Sequence, residues 1–224
     1  MIDRNDIFDE VKDNLALWCG GDCAGADLAA VAGTAITNKL FAISVLPGVV
    51  SELWPWIENT NIKIITRFIV DQDINDIFMS DFTSRVSAVF REGANGAIVF
   101  VHMPDLVTFT SELMCIRDDL FFNKTLSIGL DIGEIDSYDW DNVFQVLQSI
   151  RADSVTLVLS QDDGDKSDFI GRIYAMLNAN MGDWNGALHF ILGPNIARID
   201  QVFRLTERLR FNMKSKMLFW VNDK

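Results

Sequence analysis

Thr125 to Gly133 reads TLSIGLDIG, and the alternation within it decides the fold. Thr125, Ser127, Gly129 and Asp131 are small or polar, while Leu126, Ile128 and Leu130 between them are aliphatic. A strand repeats every two residues, so the two sets face opposite sides. In a closed parallel barrel the aliphatic row meets an outer layer of helices. The small polar row faces the axis and ends at a ligand site. Asp131, at the carboxyl end of that row, is expected at the mouth.

Working outward, the same design recurs. Leu15–Cys19, Phe41–Leu46, Ile62–Phe68 and Gly96–His102 read as strands before it, and Ser154–Ser160, Ala187–Leu192 and Met217–Val221 as strands after it. Between them lie helical segments at 24–40, 49–58, 74–92, 104–122, 136–151, 169–180 and 196–211, with Asp136 or Ser137 capping the fifth. A short acidic helix is expected over residues 3–11. Eight strands in strict alternation with helices predict a (β/α)8 TIM barrel, with residues 1–224 as a single domain lacking a C-terminal eighth helix. The amino-terminal helix or a partner chain would cover that gap. An open doubly wound sheet is the competing architecture, and no GxGxxG follows the first strand to favour it.

The chain carries 32 acidic and 19 basic residues, a net charge of −13, which opposes binding to nucleic acid or to an anionic membrane. No apolar run approaches the roughly 20 residues that span a bilayer, and the amino terminus lacks the features of a signal peptide. A cytoplasmic protein is the expectation, and three cysteines suit reduced thiols better than a disulfide framework. Mean hydropathy is high at +0.16. Apolar helix residues Trp54, Trp56, Phe78, Phe82, Phe109, Phe121 and Phe122 exceed what one inward stripe uses, so a homo-oligomer is expected.

Extending the parity of the opening stretch points Trp18, Ser44, Arg67, His102, Asp131, Ser160, His189, Trp220 and Asn222 into the barrel or its mouth. Asp131, His102 and His189 are the candidates for acid–base chemistry. Trp18, Ser44, Arg67, Ser160, Trp220 and Asn222 are the candidates for ligand binding. Each has a structural alternative: Arg67 could neutralise Asp131 or its neighbours, the histidines could be core residues, and the indoles could be packing. The acidic loop residues Asp71, Asp73, Glu134, Asp136, Asp162, Asp163 and Asp165 could, with Asp131, hold magnesium, although loops are acidic for solubility too. Cys19 and Cys23 flank GGD at a spacing that could suit a metal or redox pair.

ISVLP at Ile43–Pro47, IKIITRF at Ile62–Phe68, REGANGAIVFV at Arg91–Val101 and the pair Ala152-Asp153 resemble the class I aldolases, deoxyribose-phosphate aldolases most of all. The resemblance implies the barrel. In that family a strand-six lysine forms a Schiff base, assisted by a strand-four aspartate and a strand-seven lysine. Here those places fall on Thr156, Ile98 and His189 or Phe190. A hydroxyl cannot form an imine, so the scaffold is implied without the chemistry. Three functions follow: a non-aldolase barrel that binds a small polar metabolite and acts by acid–base chemistry, a metal-assisted lyase or isomerase, and a catalytically inactive barrel serving in assembly.

Overall fold

Alternation of inward small or polar residues with outward aliphatic ones becomes a closed barrel in the computed structural model. The structure describes residues 11–20, 26–70, 76–119, 123–158, 168–192, 196–209 and 216–222. The strands are β1 (Leu15–Trp18), β2 (Ala42–Val45), β3 (Lys63–Ile69), β4 (Gly96–Phe100), β5 (Thr125–Asp131), β6 (Ser154–Val158), β7 (Ala187–Ile191) and β8 (Met217–Asn222). They pair in sequence order, every pair parallel, and β8 closes on β1 with Ala16 opposite Trp220 and Trp18 opposite Asn222. Parallel neighbours require crossovers, and helices supply them.

The helices are α1 (Ala26–Thr37), α2 (Val50–Ile57), α3 (Asp76–Arg91), α4 (Met103–Leu106), α5 (Thr110–Asp119), α6 (Trp140–Ile150), α7 (Asp168–Asn178) and α8 (Ile196–Leu209). The principal core lies between helices and strands. Ile43, Ile64, Val99, Ile128, Val155 and Phe190 form part of its sheet side, and each is fully buried. On α6, Trp140, Val143, Phe144, Leu147 and Ile150 recur at helical spacing and all are buried against it. Each such side chain contributes about 1.5–3 kcal/mol on leaving water. A second, smaller cluster fills the barrel itself: Ala16, Ala42, Ile65, Ile98, Leu218 and Trp220, with Trp18, Phe100 and Ile191 packed on it.

Several expectations are corrected. The single helix expected over 104–122 is two, because residues 107–109 form a turn between α4 and α5. The helix expected from residue 136 begins at Trp140 with Asp139 as its cap, neither Asp136 nor Ser137. Asp139 N–H instead donates to the Asp136 carbonyl at 2.9 Å, closing a turn first. Phe82, expected among the surplus apolar residues, is a core residue, its ring 5.3 Å from that of Phe68. Cys115 is free, but Cys19 is disulfide-bonded, not a reduced thiol. The expected helix at 3–11 falls almost wholly outside the described residues, as do Phe121 and Phe122 and the side chain of Phe78. No described helix is long and apolar enough to cross a membrane.

Candidate functional site

The inward rows end at the carboxyl-end mouth, where a cavity of about 530 Å3 opens. Trp18 of β1, Arg67 of β3, His102 beyond β4 and Asp131 of β5 all line it. Four candidates from four strands therefore meet, as side chains at the carboxyl ends of barrel strands do. Phe68, Phe100, Leu46 and Ile69 give the cavity mainly apolar walls. Gly129 makes room for one of them: a Cβ there would stand 2.3 Å from the Phe100 ring. The glycine that interrupts the polar row of β5 thus lets an aromatic wall cross the strand.

At the mouth the groups engage one another specifically. The Asp131 Oδ1 accepts a hydrogen bond from the Gly133 amide at 2.8 Å and so caps the 3-10 turn Ile132–Glu134. That turn presents Glu134 to the end of β4. Glu134 Oε1 lies 2.9 Å from His102 Nδ1, and Oε2 accepts from the Met103 amide at 3.0 Å. Burial raises the Glu134 pKa, but the Met103 amide and the His102 ring together outweigh it, and the carboxyl is held below its ordinary value. Glu134 is therefore ionised at neutral pH and can only accept, which makes His102 Nδ1 the donor and leaves Nε2 as the nitrogen that can exchange a proton. From α7, Arg172 Nη1 reaches the carbonyls of Ile132, Gly133 and Ile135 at 3.1–3.3 Å and pins this turn from behind.

Arg67 is buried, only 8% exposed. Its Nη1 makes long contacts with the Ser44 carbonyl (3.3 Å) and hydroxyl (3.5 Å), and its Cζ lies 4.5 Å over the Trp18 ring. Burial lowers its pKa to about 10. No ion pair joins it to Asp131 or to another acid among the described residues. Ser44 is fully buried and supports Arg67.

His189 and Trp220 lie deeper. Neither lines the cavity. Thr156 of β6 is fully buried, 2.7 Å from Ser127 Oγ and 3.5 Å from His189 Nδ1. The His189 ring meets the Trp220 indole edge to face at 6.3 Å, and burial lowers its pKa to about 4. Trp220 packs on Trp18 at 5.8 Å and its buried Nε1 has no partner. Ser160 lies outside the described residues, and so does the Asn222 side chain. Among the described residues no lysine lines the cavity: Lys63 lies over Phe41, and Lys124 and Lys216 bond to the Ala94 and Asn185 carbonyls. Among the described residues no group of three or more His, Cys, Asp or Glu could hold a metal. Asp71, Asp73, Asp162, Asp163 and Asp165 lie outside them.

Glu134, expected only among the acidic loop residues that could hold magnesium, pairs instead with His102. It stands three residues beyond the inward Asp131, on the loop leaving the same strand end. Arg85 of α3, also on the cavity, carried no signal in the sequence because it reaches the mouth from a helix.

No protein-family model matches the sequence, and no curated protein does. Solved structures do match in shape. A candidate deoxyribose-phosphate aldolase from Toxoplasma gondii ME49 superposes with a TM-score of 0.75 at 13% identity, over 98% of this chain and 91% of that one. The tetrameric deoxyribose phosphate aldolase from Aeropyrum pernix gives 0.68 at 11% identity, over 97% and 91%. The carboxyl transferase domain of Rhizobium etli pyruvate carboxylase, solved with pyruvate, gives 0.66 at 11%, over 98% of this chain and 41% of that one. The likeness is one of fold: the chain is an eight-stranded parallel α/β barrel similar to those of the deoxyribose-phosphate aldolases.

Proposed function

We propose that this barrel binds a small polar metabolite at its carboxyl-end mouth and turns it over by acid–base chemistry without a Schiff base. The observation that carries the reading is the His102–Glu134 pair on the cavity that Asp131 also lines. A carboxylate on Nδ1 orients the ring and stabilises the imidazolium when Nε2 takes a proton. Asp131 serves as the second acid–base group or as an acceptor for a substrate hydroxyl. His189, with its lowered pKa, stays neutral beneath the site and supports it. That the similar Rhizobium etli domain was solved with pyruvate agrees with a small polar ligand in such a barrel.

The test is exchange of substrate carbon-bound hydrogen for deuterium in D2O, followed by proton NMR over a panel of hydroxy and oxo compounds. Exchange above the buffer rate, reduced about 10²–10⁴-fold by His102→Gln, is expected. No exchange with any member, or exchange unchanged in the variant, overturns the reading.

Trp54 and Trp56 on α2 remain exposed, Trp56 by 55%. With the tetrameric Aeropyrum pernix protein as a similar fold, these residues support a homo-oligomer. A monomer by light scattering across a wide concentration range would oppose it.

A further inference from the structure

Arg67 is a buried cation that no acid offsets among the described residues. Two long contacts to neutral oxygens of Ser44 and the face of one indole compensate only part of a guanidinium's lost hydration. The acids that share its cavity are already engaged, Asp131 with the Gly133 amide and Glu134 with His102 and Met103. Donors on Nε and Nη2 remain, on a side chain that lines the cavity. Trp18 covers a flat face of the guanidinium, so its edge is what can meet a ligand. An edge of parallel N–H groups matches a planar, two-oxygen anion.

We propose that the cavity takes a short-chain carboxylic acid, its carboxylate docked edge-on against Arg67. The proposal rests on the reading of this mouth as a metabolite site and names the ligand's class. A phosphate dianion is disfavoured by two observations. Asp131 and Glu134 face the same cavity and repel a second negative charge more strongly than a first, and Arg85, the other described arginine on the cavity, offsets only one of them. Phosphate sites also gather several backbone amides at a nest or helix start, whereas the described residues that line this cavity with Arg67 include the apolar Leu46, Phe68, Ile69 and Phe100. Those walls suit an apolar carbon body. A hydroxyl or oxo group on that body would then face Asp131 and His102.

The experiment measures binding to the full chain by calorimetry, using lactate, pyruvate, 3-hydroxybutyrate and mandelate, each beside its primary amide. Inorganic phosphate serves as the competing dianion. At least one acid should bind, with its amide at least about tenfold weaker. Arg67→Met should weaken that acid about tenfold to a hundredfold, and Arg67→Lys, which keeps the charge but not the fork, by less. The acid–amide comparison needs no variant, so it holds even if a substitution harms folding. Equal binding of acid and amide, or unchanged affinity in Arg67→Met, overturns the proposal. If such binding is lost in Asp131→Asn, the metabolite site itself still stands. Phosphate displacing the acid at equal or higher affinity overturns the choice of carboxylate, and failure of every acid and amide to bind removes both readings.

Discussion

His102 Nδ1 and Glu134 Oε1 lie 2.9 Å apart, joining the end of β4 to the turn after β5. Thirty-two residues of chain, including α4 and α5, separate the two. The contact therefore depends on the parallel pairing of β4 with β5, which brings their carboxyl ends side by side.

That pairing has a spectroscopic consequence. His102 lowers the Glu134 pKa through both a hydrogen bond and its charge. In His102→Gln the Glu134 carboxyl should titrate at a higher pH than in the parent, as followed by carbon NMR of the labelled side chain. Titration at the same pH in both proteins would show that the pair is not formed in solution.

Asp131 forms no ion pair with Arg67 or a histidine among the described residues. It is half-buried, and its described bond is to the Gly133 amide, which an asparagine oxygen can also accept. Asp131→Asn should therefore lower stability by no more than about 1 kcal/mol, against the roughly 3–5 kcal/mol of a broken buried ion pair. Ligand binding or turnover should fall while urea midpoints hardly move. A large loss of stability would mark Asp131 as structural.

Acid should destabilise the fold through His189. Its pKa falls from an ordinary 6.5 to about 4 on folding because burial disfavours the imidazolium. Between those values the unfolded chain binds a proton that the native one does not, so stability drops as pH falls from 6.5 toward 4. The contribution is roughly 3 kcal/mol over that window. Denaturation of the parent and of His189→Gln at several pH values measures it, and the variant should show a shallower decline. Parallel curves would mean that His189 protonates readily in the folded state.

Borohydride reduction with small aldehydes or ketones should leave the protein's mass unchanged. β6 (Ser154–Val158) carries no lysine, and the described lysines nearest the strands, Lys63, Lys124 and Lys216, sit at or just before the strands' amino ends, across the barrel from the mouth. A reduced adduct on any lysine would restore imine chemistry to this barrel.

The sequence by itself determined the barrel and the contents of its interior. TLSIGLDIG, FAISVL and SVTLVLS alternate with period 2, and a strand converts that period directly into two faces. Trp18, Ser44, Arg67, Asp131, His189 and Trp220 accordingly belong to the inward rows, as parity requires. Tertiary structure decided how far each residue sits from the mouth and what it meets there. Trp220 belongs to the filled interior and the half-buried His189 packs on it, while His102, Asp131 and Arg67 reach the cavity. Parity specifies a side but not a depth, because depth follows from the stagger between neighbouring strands. Glu134 found His102 through a turn with no strand period to read. Arg67 stands without a carboxylate among the described residues, and the two acids on its cavity are engaged by the Gly133 and Met103 amides, contacts that arise only once the loops fold over the barrel.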